Sequence, residues 1–326
     1  MGDGAKFWLL SGYSGAGNDI ALTKVDADGT LTAQAALRTG ENPSCLCAGT
    51  RPGVYYAGCE QAGGAAVLRL FAEPSGLRID GRYTVPGTGL CHLRTVGRGI
   101  LGCCYGSGDV FWMEPGGRVL WQASPVPGGH AHWGEVTPDG DAFVWADLGA
   151  DSVFFCRLDD GQPWGDPQSV PLAPGSGPRQ VIFLTRDLAA VILENGNAVA
   201  LLRRGNAGWS VEDTVSCTRA TGKNYPGGAC LAPDGTLFVC NRGADTIAAL
   251  RLRDGTLRYA GEWPAGGVWP RWVACSGNLL LVACQKSGCV CSHIWDGRGL
   301  RPADTLELEH ASCGVLLASV QRERLE

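Results

Sequence analysis

With 32 acidic residues against 27 lysines and arginines in 326, the chain carries a net charge of −5, which gives it no basic face for nucleic acid. It has 45% hydrophobic residues, 49 Gly and 18 Pro but no apolar run of about 18 residues, so a turn-rich globular protein without a membrane span is expected. Asp3 precedes only a short apolar run, unlike a secretory signal, which predicts a cytoplasmic protein.

In chain order, one pattern recurs: a β-rich run, a small polar turn, then a β-branched residue opening a second run. It reads "GYSGAGNDIALTKV", "GCEQAGGAAVLRLF", "CCYGSGDVFWM", "ADLGADSVFFCRL", "LENGNAVALLR", "NRGADTIAALRL" and "CQKSGCVCSHIW". The β-branched positions are Ile20, Val67, Val110, Val153, Val199, Ile247 and Val290, separated by 47, 43, 43, 46, 48 and 43 residues. Seven units of this length, each with room for four short strands and none with an amphipathic helix, predict an all-β, seven-bladed β-propeller of four-stranded antiparallel blades. The whole of residues 1–326 reads as a single such domain.

A second motif precedes each anchor, where the innermost strand of a blade should begin: "NPSCLCAG", "GLCHLRTV", "HAHWGEV", "GPRQVIF", "PGGACLA", "WPRWVAC" and "HASCGVL". The seventh copy falls just before the C-terminus, whereas "KFWLLSGYSG" opens the chain. The N- and C-terminal strands are therefore predicted to share one blade, which closes the ring and removes its open edges. Equivalent residues at the start of the inner strands converge on a central channel: Ser44, Cys91, His132, Arg179, Gly227, Arg271 and Ser312. Glu60, Tyr105, Glu194, Arg242 and Gln285 follow from the neighbouring strand and turn.

Fifteen cysteines stand mostly inside apolar runs, where cysteine acts as a small buried hydrophobe. Their odd number favours a reducing compartment over a disulfide framework. Cys45 with Cys47, and Cys289 with Cys291, have C-x-C spacing. Neither pair has a second C-x-x-C or a close His pair to complete a zinc site, so no metal is expected. "GYSGAG" and "GSGPR" lack the Gly-Lys-Ser/Thr and helix of a phosphate loop, and the "PDG" copies at 138–140 and 233–235 are hairpin turns.

The paired motifs "GTGLCHLRTV" with "YGSGDVFWM", "HAHWGEVTPDG" with "ADLGADSVFF", and "GSGPRQVIF" with "LENGNAV", then "LAPDGTLFVCNRGADTIAAL" and "WPRWVA", resemble the seven-bladed propeller lactonases of the bacterial 6-phosphogluconolactonase type. The resemblance spans nearly the whole chain. It implies hydrolysis of a sugar lactone, a small-molecule substrate, no cofactor and a monomer or weak homodimer. A related fungal propeller cycloisomerises carboxymuconate with a His, two Arg and a Glu, positions that fall here on His132, Arg179, Glu194 and Arg271. The chain departs from the family pattern where Gln180 and Trp272 follow the two Pro-Arg pairs in place of His, at Gly228 in place of Glu, and at Cys59, Cys104 and Cys284 in place of Asn.

Lactone hydrolysis needs an activated water, a counter-charge for the oxyanion and a proton for the ring oxygen. His132 is the expected base and proton shuttle. Arg179 and Arg271 are expected to hold the oxyanion or a substrate anion, and Glu194 to orient a guanidinium or bind sugar hydroxyls. His92, Arg94, His130, Gln180, Trp272 and Arg242 are the candidate substrate-binding residues. Among them His130 is expected to shape its loop and Arg242 to brace a turn, while Lys223 reads as a solvated loop residue. A lactonase or cycloisomerase acting on another carboxylated lactone, and a non-catalytic binding propeller, are the alternatives.

Overall fold

The computed structural model describes residues 5–317, all strand, turn and loop, with no helix among them. No helix there is long and apolar enough to cross a membrane. Asp3, on which the expectation about the leader rests, lies outside the described residues.

Seven sheets of four antiparallel strands stand in a ring. Blade I combines Ala311–Leu316, Lys6–Gly12, Ile20–Val25 and Leu31–Leu37, in that order from the axis outward. Blades II to VII are each continuous in sequence. Their innermost strands are Pro43–Ala48, Leu90–Val96, Ala131–Val136, Pro178–Phe183, Tyr225–Leu231 and Pro270–Ser276, and each inner strand packs beside those of its neighbours. The predicted inner-strand motifs and the terminal strands sharing one blade are both present.

The local pattern explains why the strands stack this way. Every β-branched anchor stands on the third strand from the axis and is fully buried. Each such side chain contributes about 1.5–3 kcal/mol by leaving water. The middle strands have both faces covered by neighbouring blades and read as continuous apolar runs, as in Leu188–Leu193 and Leu279–Cys284. The outermost strands are largely exposed and polar, as in Gln162–Pro171 and Gly208–Ser216.

Closure is a zipper of main-chain pairs: Trp8 with Leu316, Leu9 with Val315, Leu10 with Gly314, Ser11 with Cys313, and Gly12 with Ala311. Ser312 then donates its hydroxyl to the Ser44 carbonyl of blade II at 2.9 Å, tying the closing strand to the next blade. Gly12 is needed for close approach, since a Cβ there would land on the Glu309 carbonyl oxygen and within 2.9 Å of the His310 carbonyl carbon. Gly12→Ala should therefore cost about 1–3 kcal/mol by forcing two backbones apart. Gly17→Ala, whose Cβ meets only the Glu309 carboxylate at 3.5 Å, should be close to neutral. Urea unfolding of both variants checks this, and equal midpoints would show that closure tolerates the extra atom.

Candidate active site

Each innermost strand begins with an irregularity in its pairing. In blade IV Ala131 pairs with Asp147 and Trp133 with Ala146, so His132 has no opposite residue. In blade V Arg179 is left over between Pro178 and Gln180, and in blade VII Arg271 between Pro270 and Trp272. Ser44, Cys91 and Ser312 are left over in blades II, III and I, and Gly227 and Gly228 share one partner position in blade VI. A bulge of this kind bends the strand and re-aims the extra side chain. Here the bulged side chains of Ser44, Cys91, His132, Arg179, Arg271 and Ser312 line one throat of about 30 Å³ on the axis.

Charge pairing organises the throat and its mouth. Glu194 Oε2 accepts from Arg179 at 2.6 Å and pairs with Arg242 at 2.7 Å. Arg242 also donates to the carbonyls of Tyr225 at 2.9 Å and Pro226 at 3.1 Å. Arg271 lies 3.7 Å from Glu60, which accepts the Tyr13 hydroxyl at 2.6 Å, and its guanidinium sits 5.3 Å from the Tyr13 ring centre. Three guanidiniums thus face two carboxylates, leaving one positive charge in excess.

Burial raises the Glu194 carboxyl, but the two arginines outweigh it and hold the group ionised. Arg242 is drawn down to about 10 by burial and by Arg179, partly offset by Glu194. His132 is held well below the ordinary histidine range, first by burial and then by Arg179, Arg271 and Arg242. It is therefore a neutral imidazole, and its Nδ1 is buried without a hydrogen-bond partner.

The structure thus brings His132, Arg179, Glu194, Arg271 and Arg242 together. His130 joins them indirectly. Its ring stacks on Tyr105 at 4.5 Å with Nδ1 2.6 Å from the Tyr105 carbonyl, and Tyr105 meets His132 edge-on at 5.9 Å. The Asp147 carboxylate accepts the His130 backbone N–H at 2.7 Å.

Of the other candidate substrate-binding residues, Arg94 stands away from the throat, while His92, Gln180 and Trp272 line it and are engaged by neighbouring strands. Arg94 pairs with Glu135 at 2.7 Å and lines a separate cavity of about 420 Å³ at the far end of the channel, because residue 94 lies further along its strand than the bulge. His92 accepts the Gly134 N–H on Nδ1 at 3.0 Å and lies against Trp133. Gln180 uses both ends of its amide on the Ala229 backbone of blade VI, at 2.8 and 2.9 Å. Trp272 packs edge-on against Trp8. These last three form the floor of the throat and brace adjacent blades.

The sequence reading did not single out Trp269, Tyr225 and Lys286, which form a rim beside Arg242. Lys286 Nζ lies 3.4 Å over the Trp269 ring, with the Arg242 guanidinium 5.5 Å from that ring and Tyr225 6.1 Å from it. Trp269 has φ +64, where the equivalent residues before other inner strands are Asn42, Gly89, Gly177 and His310. A tryptophan in that region is strained and is held by Asp245, which accepts its N–H at 2.8 Å. The recurrence of Gly and Asn before the other inner strands was the clue that this position is special. A larger groove of about 490 Å³ lies between the outer strands of blades IV and V around Phe155 and Trp209, away from this charge cluster.

The description "Lactonase, 7-bladed beta-propeller" matches residues 7–297. A 6-phosphogluconolactonase of Bacillus subtilis strain 168 is 25% identical over 256 residues, covering 71% of this chain and 73% of its own. Among solved structures, a Bacteroides fragilis protein provisionally named a 6-phosphogluconolactonase superposes with a TM-score of 0.86 at 23% identity, covering 97% of this chain and 99% of that one. A periplasmic gluconolactonase of Pseudomonas aeruginosa superposes with a TM-score of 0.84 at 24% identity, over 96% of this chain and 99% of that one.

The buried histidines make stability acid-sensitive. Burial, with a contribution from Arg94, draws His92 down to about 3, and His132 is also depressed. Both take up protons in the unfolded chain, near pH 6.5, before they do in the native one. Their contribution is therefore complete above about pH 6.5 and is lost as pH falls, for His92 by about 1 kcal/mol between pH 6 and pH 5. His92→Gln, which keeps an acceptor for Gly134, should reduce that loss by about 1 kcal/mol in urea unfolding at the two pH values. Identical losses would show that His92 does not titrate this way.

Proposed function

Because the chain belongs to the lactonase family of seven-bladed β-propellers, we propose that it hydrolyses an anionic sugar lactone, 6-phosphoglucono-1,5-lactone foremost, at the mouth of its central channel. The family makes it a lactone hydrolase. The observation that carries the anionic substrate is the surplus guanidinium charge around an uncharged imidazole. The throat has room for about a water molecule or two, so a sugar ring must sit above it, against Tyr105, Tyr13 and the Trp269 rim.

In this reading His132 takes a proton from a water held in the throat while the resulting hydroxide attacks the lactone carbonyl. Arg179 and Arg271 hold the oxyanion or the substrate's own anion, and Glu194 and Glu60 fix their orientation. The carbonyl-to-ring-oxygen bond then breaks, and the imidazolium returns its proton to the ring oxygen. The product is an open-chain acid that ionises.

Electrostatics gives the sequence of events a direction. The guanidiniums that depress His132 also make it a weak base before substrate arrives. An anion on those guanidiniums cancels part of their field and raises the basicity of His132 in the complex. The same fit admits a carboxylated lactone. We infer a reducing, cytoplasmic setting from the fifteen cysteines, all of them unpaired.

The test is acid release from freshly made 6-phosphoglucono-1,5-lactone and from uncharged glucono-1,5-lactone, each corrected for spontaneous opening. Wild type should favour the phosphorylated substrate by at least about tenfold in kcat/KM, consistent with one charge-assisted contact. His132→Ala should lose about 10²–10⁴-fold, and Arg271→Gln about 10²–10³-fold. Full activity in His132→Ala would overturn the assignment of the base. Preference for the uncharged lactone would overturn the anionic substrate.

A further inference from the structure

We propose that the rim of blade VII, where Lys286 lies over Trp269, is the subsite for a phosphate that the substrate carries at the end away from its reacting carbonyl. The proposal rests on the lactonase reading above and gives the two ends of the substrate to different cations. Trp269 stands just before the inner strand of blade VII, and Arg271 follows two residues later at the bulge. Two residues span at most about 7 Å of chain, so the rim and the throat lie about one sugar ring apart.

Pairing separates Lys286 from the other cations of the mouth. Glu194 holds both Arg179 and Arg242, and Glu60 holds Arg271. Arg242 also donates to the carbonyls of Tyr225 and Pro226. Asp245, the carboxylate bonded to this rim, accepts the backbone N–H groups of Trp269 at 2.8 Å and Gly243 at 3.3 Å. Lys286 is exposed, its ammonium lies 3.4 Å from the centre of the Trp269 ring, and among the described residues it makes no ion pair. It is thus the cation of the mouth whose charge is still unmatched. A phosphate monoester brings a charge of about −1.5 to −2 at neutral pH, and a lysine ammonium binds it as a point charge.

The backbone holds this lysine in place. Trp269 keeps a left-handed conformation that a bulky side chain disfavours. The turn after the second strand of blade VII is tied to it: Gln285 donates its N–H to the Trp269 carbonyl at 3.1 Å, and Lys286 donates its own to the Val268 carbonyl at 3.2 Å. The Val268 N–H in turn donates to the Ser287 hydroxyl. These bonds set the ammonium and the indole on one edge, so less freedom is lost when an anion arrives. The Arg242 guanidinium lies 5.5 Å from the same ring, so a phosphate on the rim stands near one of the cations that depress His132. Its arrival raises the basicity of that imidazole and leaves Arg179 and Arg271 to the oxyanion.

The test is isothermal titration of the full chain with 6-phosphogluconate and with gluconate, beside turnover of the two lactones. Wild type should bind the phosphorylated acid more tightly, and Lys286→Met should weaken that binding about tenfold, the loss of one charge-assisted contact. In turnover the same variant should raise KM for 6-phosphoglucono-1,5-lactone about tenfold, with kcat within about twofold of wild type. Lys286→Arg, which keeps the charge, should recover most of the affinity. Lys24→Met, on the Ile20–Val25 strand of blade I, should bind as wild type does. No binding of 6-phosphogluconate by wild type, equal affinity in Lys286→Met, or an equal loss in Lys24→Met would overturn the subsite. So would a Lys286→Met loss of the same size with gluconate, because the lysine would then serve the acid end. Lys286-dependent binding of 6-phosphogluconate without turnover of either lactone would support the subsite and overturn the hydrolytic reading instead.

Discussion

The channel depends on one backbone device, the extra residue at the entrance of every inner strand. A regular antiparallel ladder points successive side chains to opposite faces of the blade, so an unbroken inner strand would send its residues into the gaps between blades. The bulge breaks that alternation at one position and leaves a side chain aimed along the axis. The cost is local: unpaired register and, in five of seven blades, a left-handed residue just before the strand. Everything below the bulge remains ordinary sheet, which is why His92, Gln180 and Trp272, the residues next to the bulge in their blades, floor the throat while bracing adjacent strands.

Bringing three guanidiniums into so narrow a space is the costly step, and the site handles it by sharing. Glu194 serves both Arg179 and Arg242, while Glu60 serves Arg271 with help from Tyr13. A buried charge is tolerable when its partners are close and the remaining donors find acceptors, as Arg242 does on the carbonyls of Tyr225 and Pro226. His132 then stays neutral, first because it is buried and then because a fourth cation there would have no carboxylate left to pair with.

The repeat made the fold legible. Seven β-branched positions at a steady spacing are a core requirement, and a residue such as Val199 has to be apolar whatever the protein does. The convergence of His132, Arg179 and Arg271 could be read for the same reason, since repeat equivalence implies symmetric placement. Contacts between blades could not be read that way. Gln180 looks like a free polar group until the Ala229 backbone of the next blade occupies it. Arg94 is only two residues beyond His92, yet a strand rises about 3.3 Å per residue and the channel is short, so it opens onto the opposite mouth. Cys284 and Cys289 become neighbours only through the register of their hairpin, which the sequence spacing does not specify.

The glycines of blade VI show how the packing of the ring decides the chemistry of its centre. Position 228 is where the family resemblance led to the expectation of a glutamate. Here a Cβ at Gly228 would lie 3.0 Å from both the Arg271 carbonyl oxygen and the Trp272 Cα, and one at Gly227 would lie 2.8 Å from the Pro270 carbonyl oxygen. Blades VI and VII therefore approach backbone to backbone at the level where Arg271 leaves its bulge. Restoring a carboxylate at that point would require the inner strand of blade VII to move, and with it Arg271. The excess positive charge at the mouth is thus fixed by the contact between two backbones, which is the setting the proposed anionic substrate requires.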